Sequence, residues 1–356
     1  MRRLPVYFVV DVSESMVGEP IEQVQNGMRN IIQDLRNDPY ALETVYVSVI
    51  AFAGKAKSLS PLTELYKFYP PIFPIGGGTS LGSAMNYLMD DMDRSLVKNT
   101  MEVKGDWKPI IFLFTDGNPT DNPSAAIQRW NTKYRSQCNL IAISIGQNID
   151  TKILSQMTEN VFRLNDTEPS AFQAFFKWVT VSLKTSSMSV SDTGSDDVKL
   201  AQVDGINLEK VENAEHVRID ENFAVILGKC QNTGKNYLIK FAKHTKPMQL
   251  EINGIKIDYD QIPVSMFKLI GAYPINGEEY QSLSENGGRL PKIHTTELIG
   301  QPTCPCCGNQ FGLVICECGN VFCVGSDGHA KCPWCGMEGE LAAVGEGGMD
   351  VNRTRG

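Results

Sequence analysis

Along the first half of the chain, short continuous apolar runs alternate with stretches in which apolar residues return every three or four positions. The runs LPVYFVV from Leu4, TVYVSVIAF from Thr44, PIIFLFT from Pro109 and NLIAISI from Asn139 have the near-unbroken hydrophobicity of strands covered by helices on both faces. SVIAF is expected at or near the sheet edge, beside the first strand. After Pro20, the residues Ile21, Val24, Met28, Ile31, Ile32 and Leu35 fall on one helical face. After Thr79, Leu81, Met85, Leu88, Met89 and Met92 do the same. These stripes are read as core. A last helix carries Phe172, Phe175, Phe176, Val179 and Leu183 before SSMSVSDTGSDD breaks the period. The pattern predicts an α/β domain over residues 1–186, a doubly wound and mostly parallel sheet.

Beyond a linker at 187–197 the periodicity changes to alternation, as in NFAVILG, NYLIKFAK and MQLEINGIKIDY. Asn253-Gly254 predicts a tight hairpin of type I′. Residues 198–301 are therefore expected to form a small β module for spacing or presentation, followed by a cysteine-rich module at 302–339 and a flexible tail at 340–356. No internal repeat stands out.

Length and composition agree with several domains. The 356 residues exceed what one hydrophobic core usually serves, and 42 % hydrophobic with 21 % charged residues is ordinary for folded proteins. A formal charge of −8 argues against non-specific nucleic-acid binding, which needs clustered Lys and Arg. The opening MRRLPVYFVV resembles a leader peptide, but its apolar stretch stops at Asp11 and no small-residue cleavage site follows. No stretch approaches a membrane span, so the expectation is a cytoplasmic protein. Eight of the ten cysteines crowd between Cys304 and Cys335, a density that points to metal rather than disulfides. Cys138 and Cys230 are expected to be buried small side chains.

Three segments supply oxygens at one edge of the expected sheet. Asp11, Ser13 and Ser15 in DVSES follow the first strand, Thr79 in GGGTS precedes a helix, and Asp116 in FTDG ends another strand. Open α/β sheets place their ligand crevice at that edge. Mg²⁺ suits such a donor set, because it prefers oxygen ligands and keeps waters. Hydroxyl ligands leave its charge under-compensated, so a partner's Asp or Glu can complete the shell. The competing reading makes the hydroxyls mere turn and helix caps. Glu14, Glu19 and Asp121 are read as solvated loop charges, and Gly76 to Gly78 as glycines that let the backbone approach closely. The histidines His216, His244 and His294 lie outside this domain. No general base therefore accompanies the metal, and the chain is read as non-catalytic.

Residues 4 to 185 resemble the von Willebrand factor A-domain family, whose metal-ion-dependent adhesion site has this motif set. The resemblance implies that Ser13, Ser15 and Thr79 coordinate one Mg²⁺ directly, with Asp11 and Asp116 acting through waters and hydrogen bonds.

The cysteine-rich stretch offers Cys304 and Cys307, Cys316 and Cys318, Cys323 and His329, and Cys332 and Cys335, ligands enough for two structural Zn²⁺. CPCCG and CPWCG share one knuckle pattern, which puts Cys306 in the place of Trp334 and outside the ligand set. The spacing resembles the cross-brace of RING-type modules, with a ribbon of two facing knuckles as the other arrangement.

An A-domain followed by a two-metal module resembles the longer members of the TerY family of bacterial tellurium-resistance and stress-response systems, and TDGNPTD adds to the likeness. The resemblance implies a scaffold or adaptor whose partners are a protein kinase and a protein phosphatase. A ubiquitin-ligase-type enzyme, or a subunit of a transcription or repair assembly, are the alternatives.

Overall fold

The computed structural model describes residues 2–100, 104–145, 151–164, 175–184, 186, 222–244, 249–252, 255–258, 266–284, 290–326, 328–340 and 348–354. These fall into two compact units. The first holds the described residues of Met1–Ile219 and Glu278–Asn286, the second those of Asp220–Gly277 and Gly287–Arg355.

In the first unit the strands are β1 (Leu4–Asp11), β2 (Val45–Phe52), β3 (Ala56–Glu64), β4 (Ile110–Thr115), β5 (Asn139–Ile145) and β6 (Val161–Leu164). They form one sheet in the order β3-β2-β1-β4-β5-β6, parallel except for β3. The helices are α1 (Glu19–Arg36), α2 (Pro39–Thr44), α3 (Leu81–Ser95), α4 (Ser124–Arg129), α5 (Lys152–Ser155) and α6 at 175–184. Alternation along β1 sorts its side chains between two cores. Leu4, Val6, Phe8 and Val10 join Val24, Met28, Ile31 and Leu35 of α1 and Phe175 and Val179 of α6. Tyr7 and Val9 join Met85, Leu88 and Met92 of α3 on the other face. Both stripes expected from the sequence are thus core. The edge strand β3 was not expected: AKSLSPLTE has no apolar run, is only half buried and carries Pro61, which an edge position tolerates.

The second unit contains β7 (Phe223–Lys229), β8 (Asn236–Lys243), β9 (Gln249–Ile252), β10 (Ile255–Asp258), β11 (Phe267–Pro274), β12 (Lys292–His294), β13 (Leu298–Ile299), β14 (Phe311–Ile315), β15 (Val321–Val324), β16 (His329–Lys331), β17 (Glu338–Glu340) and β18 (Asp350–Asn352). Between β11 and β12 the chain forms α7 (Gly277–Leu283), which from Glu278 onward belongs to the first unit. β9 and β10 pair antiparallel, Ile252 with Ile255. The expected turn residues Asn253 and Gly254 lie outside the described residues, as does the expected linker at 187–197.

The expected boundary at 301/302 does not divide the structure. A single six-stranded sheet, β13-β11-β8-β7-β15-β14, joins strands from both sides of it, with Val321 and Phe322 of β15 registered against Gly228 and Lys229 of β7. Ile226, Ile239, Phe241 and Val321 share one core with Cys304 and Cys323. The end of the expected flexible tail is also built in: β18 pairs with β12, Val351 is buried, and the Thr354 N–H donates to Val225 O at 2.8 Å.

Candidate metal centres

All five expected oxygen-bearing residues meet at the carboxyl ends of β1 and β4. Asp11 is fully engaged: its Oδ1 accepts the Ser13 N–H at 2.9 Å and its Oδ2 the Thr115 hydroxyl at 2.7 Å. Asp116 Oδ1 accepts the Ser15 hydroxyl at 2.7 Å, and the Ser13 and Ser15 hydroxyls lie 3.0 Å apart. Thr79 is brought in by backbone ties, its N–H donating to Thr120 Oγ1 at 3.0 Å and its C=O accepting from the Thr120 N–H at 2.8 Å. Thr79 does not cap α3. The next residue, Ser80, occupies that position without a side-chain cap, and Asp121 supplies the acceptors instead, for the Gly82 and Ser83 N–H groups at 3.2 and 3.1 Å.

Two observations fit this donor set to a divalent cation. Thr79 Oγ1 is buried without a hydrogen-bond partner among the described residues, a costly state for a hydroxyl that a cation ligand would relieve. A side-chain Cβ built at Gly117 would stand 3.4 Å from Thr79 Oγ1 and 3.7 Å from Ser15 Oγ. The two hydroxyls therefore lie side by side at the Gly117 backbone.

Two residues read from sequence as solvated charges are structural here. Asp121 holds the start of α3 beside Thr79. Glu14 is 1 % exposed, with Oε2 accepting the Gly78 N–H at 3.0 Å and Oε1 the Tyr280 hydroxyl at 2.5 Å. An acid flanked by two ligand serines was the available signal for Glu14. Nothing in the sequence pointed to Tyr280.

In the second unit the thiols form two groups, Cys230, Cys304, Cys307 and Cys323, and Cys316, Cys318, Cys332 and Cys335, each with all sulfurs within 4.8 Å of one another. Cys307 and Cys323 stand 3.8 Å apart, Cys316 and Cys335 3.6 Å, and Cys318 and Cys332 3.8 Å. A tetrahedron with Zn–S bonds of about 2.3 Å has edges of about 3.8 Å, so both groups fit zinc. Along the chain the cysteine pairs alternate between the groups, as in a cross-brace and unlike a ribbon of facing knuckles.

His329 is not in either group. It lies on β16 paired with Glu340, its side chain exposed, and Cys230 takes the place expected for it. Cys230 is thus a candidate ligand rather than a passive core residue. The missed signal is a degenerate knuckle. CQNTG, CPCCG and CPWCG share a Cys followed four residues later by Gly, and in each the glycine N–H donates to the cysteine C=O, at 2.9, 2.9 and 2.8 Å. Each of these glycines has positive φ, 69°, 78° and 79°. In CQNTG, Thr233 stands where the others carry their second ligand, and its N–H donates to Cys230 Sγ at 3.4 Å. Cys306 joins neither group, and burial pushes its thiol up to about 11.

The thiols differ in readiness to ionise. Burial raises Cys323, and raises Cys316 to about 12. Burial also opposes ionisation of Cys230 and Cys318, but hydrogen bonds from Thr233 and Asn320 outweigh it and hold both near 7.

Family comparison divides the chain in the same two parts. Residues 6–177 match the von Willebrand factor type A domain and residues 220–356 the TerY-C metal binding domain. Inter alpha-trypsin inhibitor heavy chain 4 of Mus musculus is 29 % identical over 164 residues, which is 43 % of this chain and 16 % of that protein. Heavy chain H1 of Bos taurus is 21 % identical over 158 residues, 43 % of this chain and 17 % of its own length. This chain thus spans less than a fifth of those relatives. A von Willebrand factor type A structure from Catenulispora acidiphila superposes with a TM-score of 0.40 at 13 % identity, covering 77 % of this chain and 56 % of that one.

Proposed function

From a chain that joins a von Willebrand factor type A domain to a TerY-C metal binding domain, we infer a non-catalytic scaffold that grips a protein partner through a divalent cation. Ser13, Ser15 and Thr79 would hold Mg²⁺ directly, with Asp11 and Asp116 behind them. The bound ion would supply an unsatisfied positive charge for a partner's carboxylate. The chain's own contribution is order: Asp11 is fixed from both sides, Asp116 orients Ser15, and Asp121 and Thr120 place Thr79. The observation that carries this reading is the buried Thr79 Oγ1, without a hydrogen-bond partner among the described residues and, like Ser15 Oγ, beside Gly117.

In the second unit two Zn²⁺ would cross-link the sheet and present a surface for another protein. By the TerY resemblance the partners are a protein kinase and a protein phosphatase of a bacterial tellurium-resistance or stress-response system, in the cytoplasm. A chain that binds one partner at each end raises the effective concentration of one near the other. The alternating thiol groups also suit a ubiquitin-ligase-type module, but Cys230, from the turn after β7 far upstream, departs from that pattern.

The test is a pull-down from the source cell with the full, zinc-loaded chain, in Mg²⁺ and in chelator-free buffer depleted of Mg²⁺. Capture of a kinase or phosphatase in Mg²⁺ alone, lost in Asp116→Ala, supports the reading. Identical capture in all arms refutes it.

A further inference from the structure

The metal reading leaves Glu14, Gly76 and Gly77 without a purpose. Glu14 is a buried carboxylate between two ligand serines, and burial of a charge is expensive unless it is hydrogen-bonded. One of its hydrogen-bond partners is Tyr280, on the α7 segment that packs within the first unit. The same segment is fastened at three further points. Ser284 Oγ accepts the Gly77 N–H at 2.8 Å and donates to Tyr280 O at 2.6 Å. The Lys55 N–H donates to Leu283 O at 2.9 Å. Leu283 is 1 % exposed and shares the core of Val12 and Phe73.

Gly76 and Gly77 are spaces for this segment. A Cβ at 76 would lie 2.5 Å from Leu283 Cβ, and one at 77 would lie 2.9 Å from both Glu14 Oε1 and Ser284 Oγ. Gly76 and Gly77, two of the three glycines expected to let the backbone approach closely, let α7 approach the loop. With the segment seated, Asp11, Ser13, Ser15 and Thr79 are at most 1 % exposed and Asp116 4 %. Among the described residues these donor side chains are thus almost wholly covered in this state.

Resting on the metal-site reading above, we propose that residues 278–284 are a strap that closes this site, clasped by Tyr280 on Glu14. An acidic partner segment binds only when the strap lifts. Glu14 is the fixed half of the clasp, and partner capture by the first unit is held off by a piece of the chain that lies within the TerY-C stretch in sequence.

The experiment uses the full chain with Mn²⁺ alone as probe, comparing wild type, Tyr280→Phe, Ser284→Ala, the double variant and Asp11→Ala. Three quantities are read: Mn²⁺ release into EDTA, water-proton relaxation by bound Mn²⁺, and metal-free amide exchange at Lys55 and Gly77. A hydrogen bond to a charged group is strong enough that its loss should change opening by about tenfold or more. The expected result is Mn²⁺ release and amide exchange at least about tenfold faster in the double variant, with higher relaxation. Uptake by the double variant but not by wild type also supports a strap. Unchanged release and exchange, with Mn²⁺ binding lost only in Asp11→Ala, overturns the strap and leaves the metal site standing. No uptake by any variant removes both.

Discussion

The Ser15 hydroxyl donates to Asp116 Oδ1 at 2.7 Å, joining the loop after β1 to the end of β4 through two side chains rather than through the sheet. Asp116 therefore aims a ligand as well as adding charge. Outer partners of this kind commonly carry about 10- to 100-fold in metal affinity, and Asp116→Ala is expected to weaken Mn²⁺ binding by that much, measured by electron paramagnetic resonance titration. Ser15 keeps its contact with Ser13, so melting should shift little. An unchanged affinity would show that Asp116 plays no part in metal binding.

Metal stoichiometry separates the ligand sets. Elemental analysis of the purified chain should give about two zincs, falling to about one in Cys230→Ser and remaining at two in Cys306→Ser and in His329→Ala. Loss of zinc in His329→Ala, with Cys230→Ser intact, would restore the assignment made from sequence spacing.

The oxygen site was legible because each of its segments carries a local signature and the parallel sheet brings strand ends together by topology. The first cysteine group was only partly legible. Cys304, Cys307 and Cys323 are close in sequence, whereas Cys230 arrives through the pairing of β7 with β15, a long-range contact that spacing does not encode. Its CQNTG turn was the trace it left, obscured because Thr233 replaces the second cysteine. Glu14 misled for a related reason. Its buried side chain is hydrogen-bonded by Tyr280 from far along the chain, and an acid in a loop reads as solvated until such partners are known.

Gly27 is on α1 where the helix meets α6, and a Cβ there would fall 2.0 Å from Phe176 Cε2. Alanine normally gains about 1 kcal/mol over glycine inside a helix. Overpacking a core costs about 1–3 kcal/mol, and Phe176 has no room to retreat because it stacks on Phe114 and meets Phe175 edge-on. Gly27→Ala is expected to destabilise the first unit, read as a lower denaturant midpoint with an unchanged slope. A higher midpoint would mean that Phe176 yields more easily than this packing implies.

Zinc removal should act on one unit. Structural zinc contributes about 10–16 kcal/mol to the folding of small modules, as large as or larger than the roughly 5–15 kcal/mol net stability of a typical domain. In the second unit the first cysteine group ties the end of β7 to the knuckle at Cys304 and to Cys323 on β15, so losing that ion removes a cross-link inside the central sheet pairing. Among the described residues, the first unit holds its two cores without a cysteine cluster. Stripping zinc with a strong chelator, in the presence of excess Mg²⁺, should abolish amide protection in 223–229 and 321–324 while 4–11 and 110–115 stay protected, and returning zinc should restore it. Protection that persists in 223–229 after both zincs are gone would mean that the sheet of the second unit stands on its hydrophobic core alone.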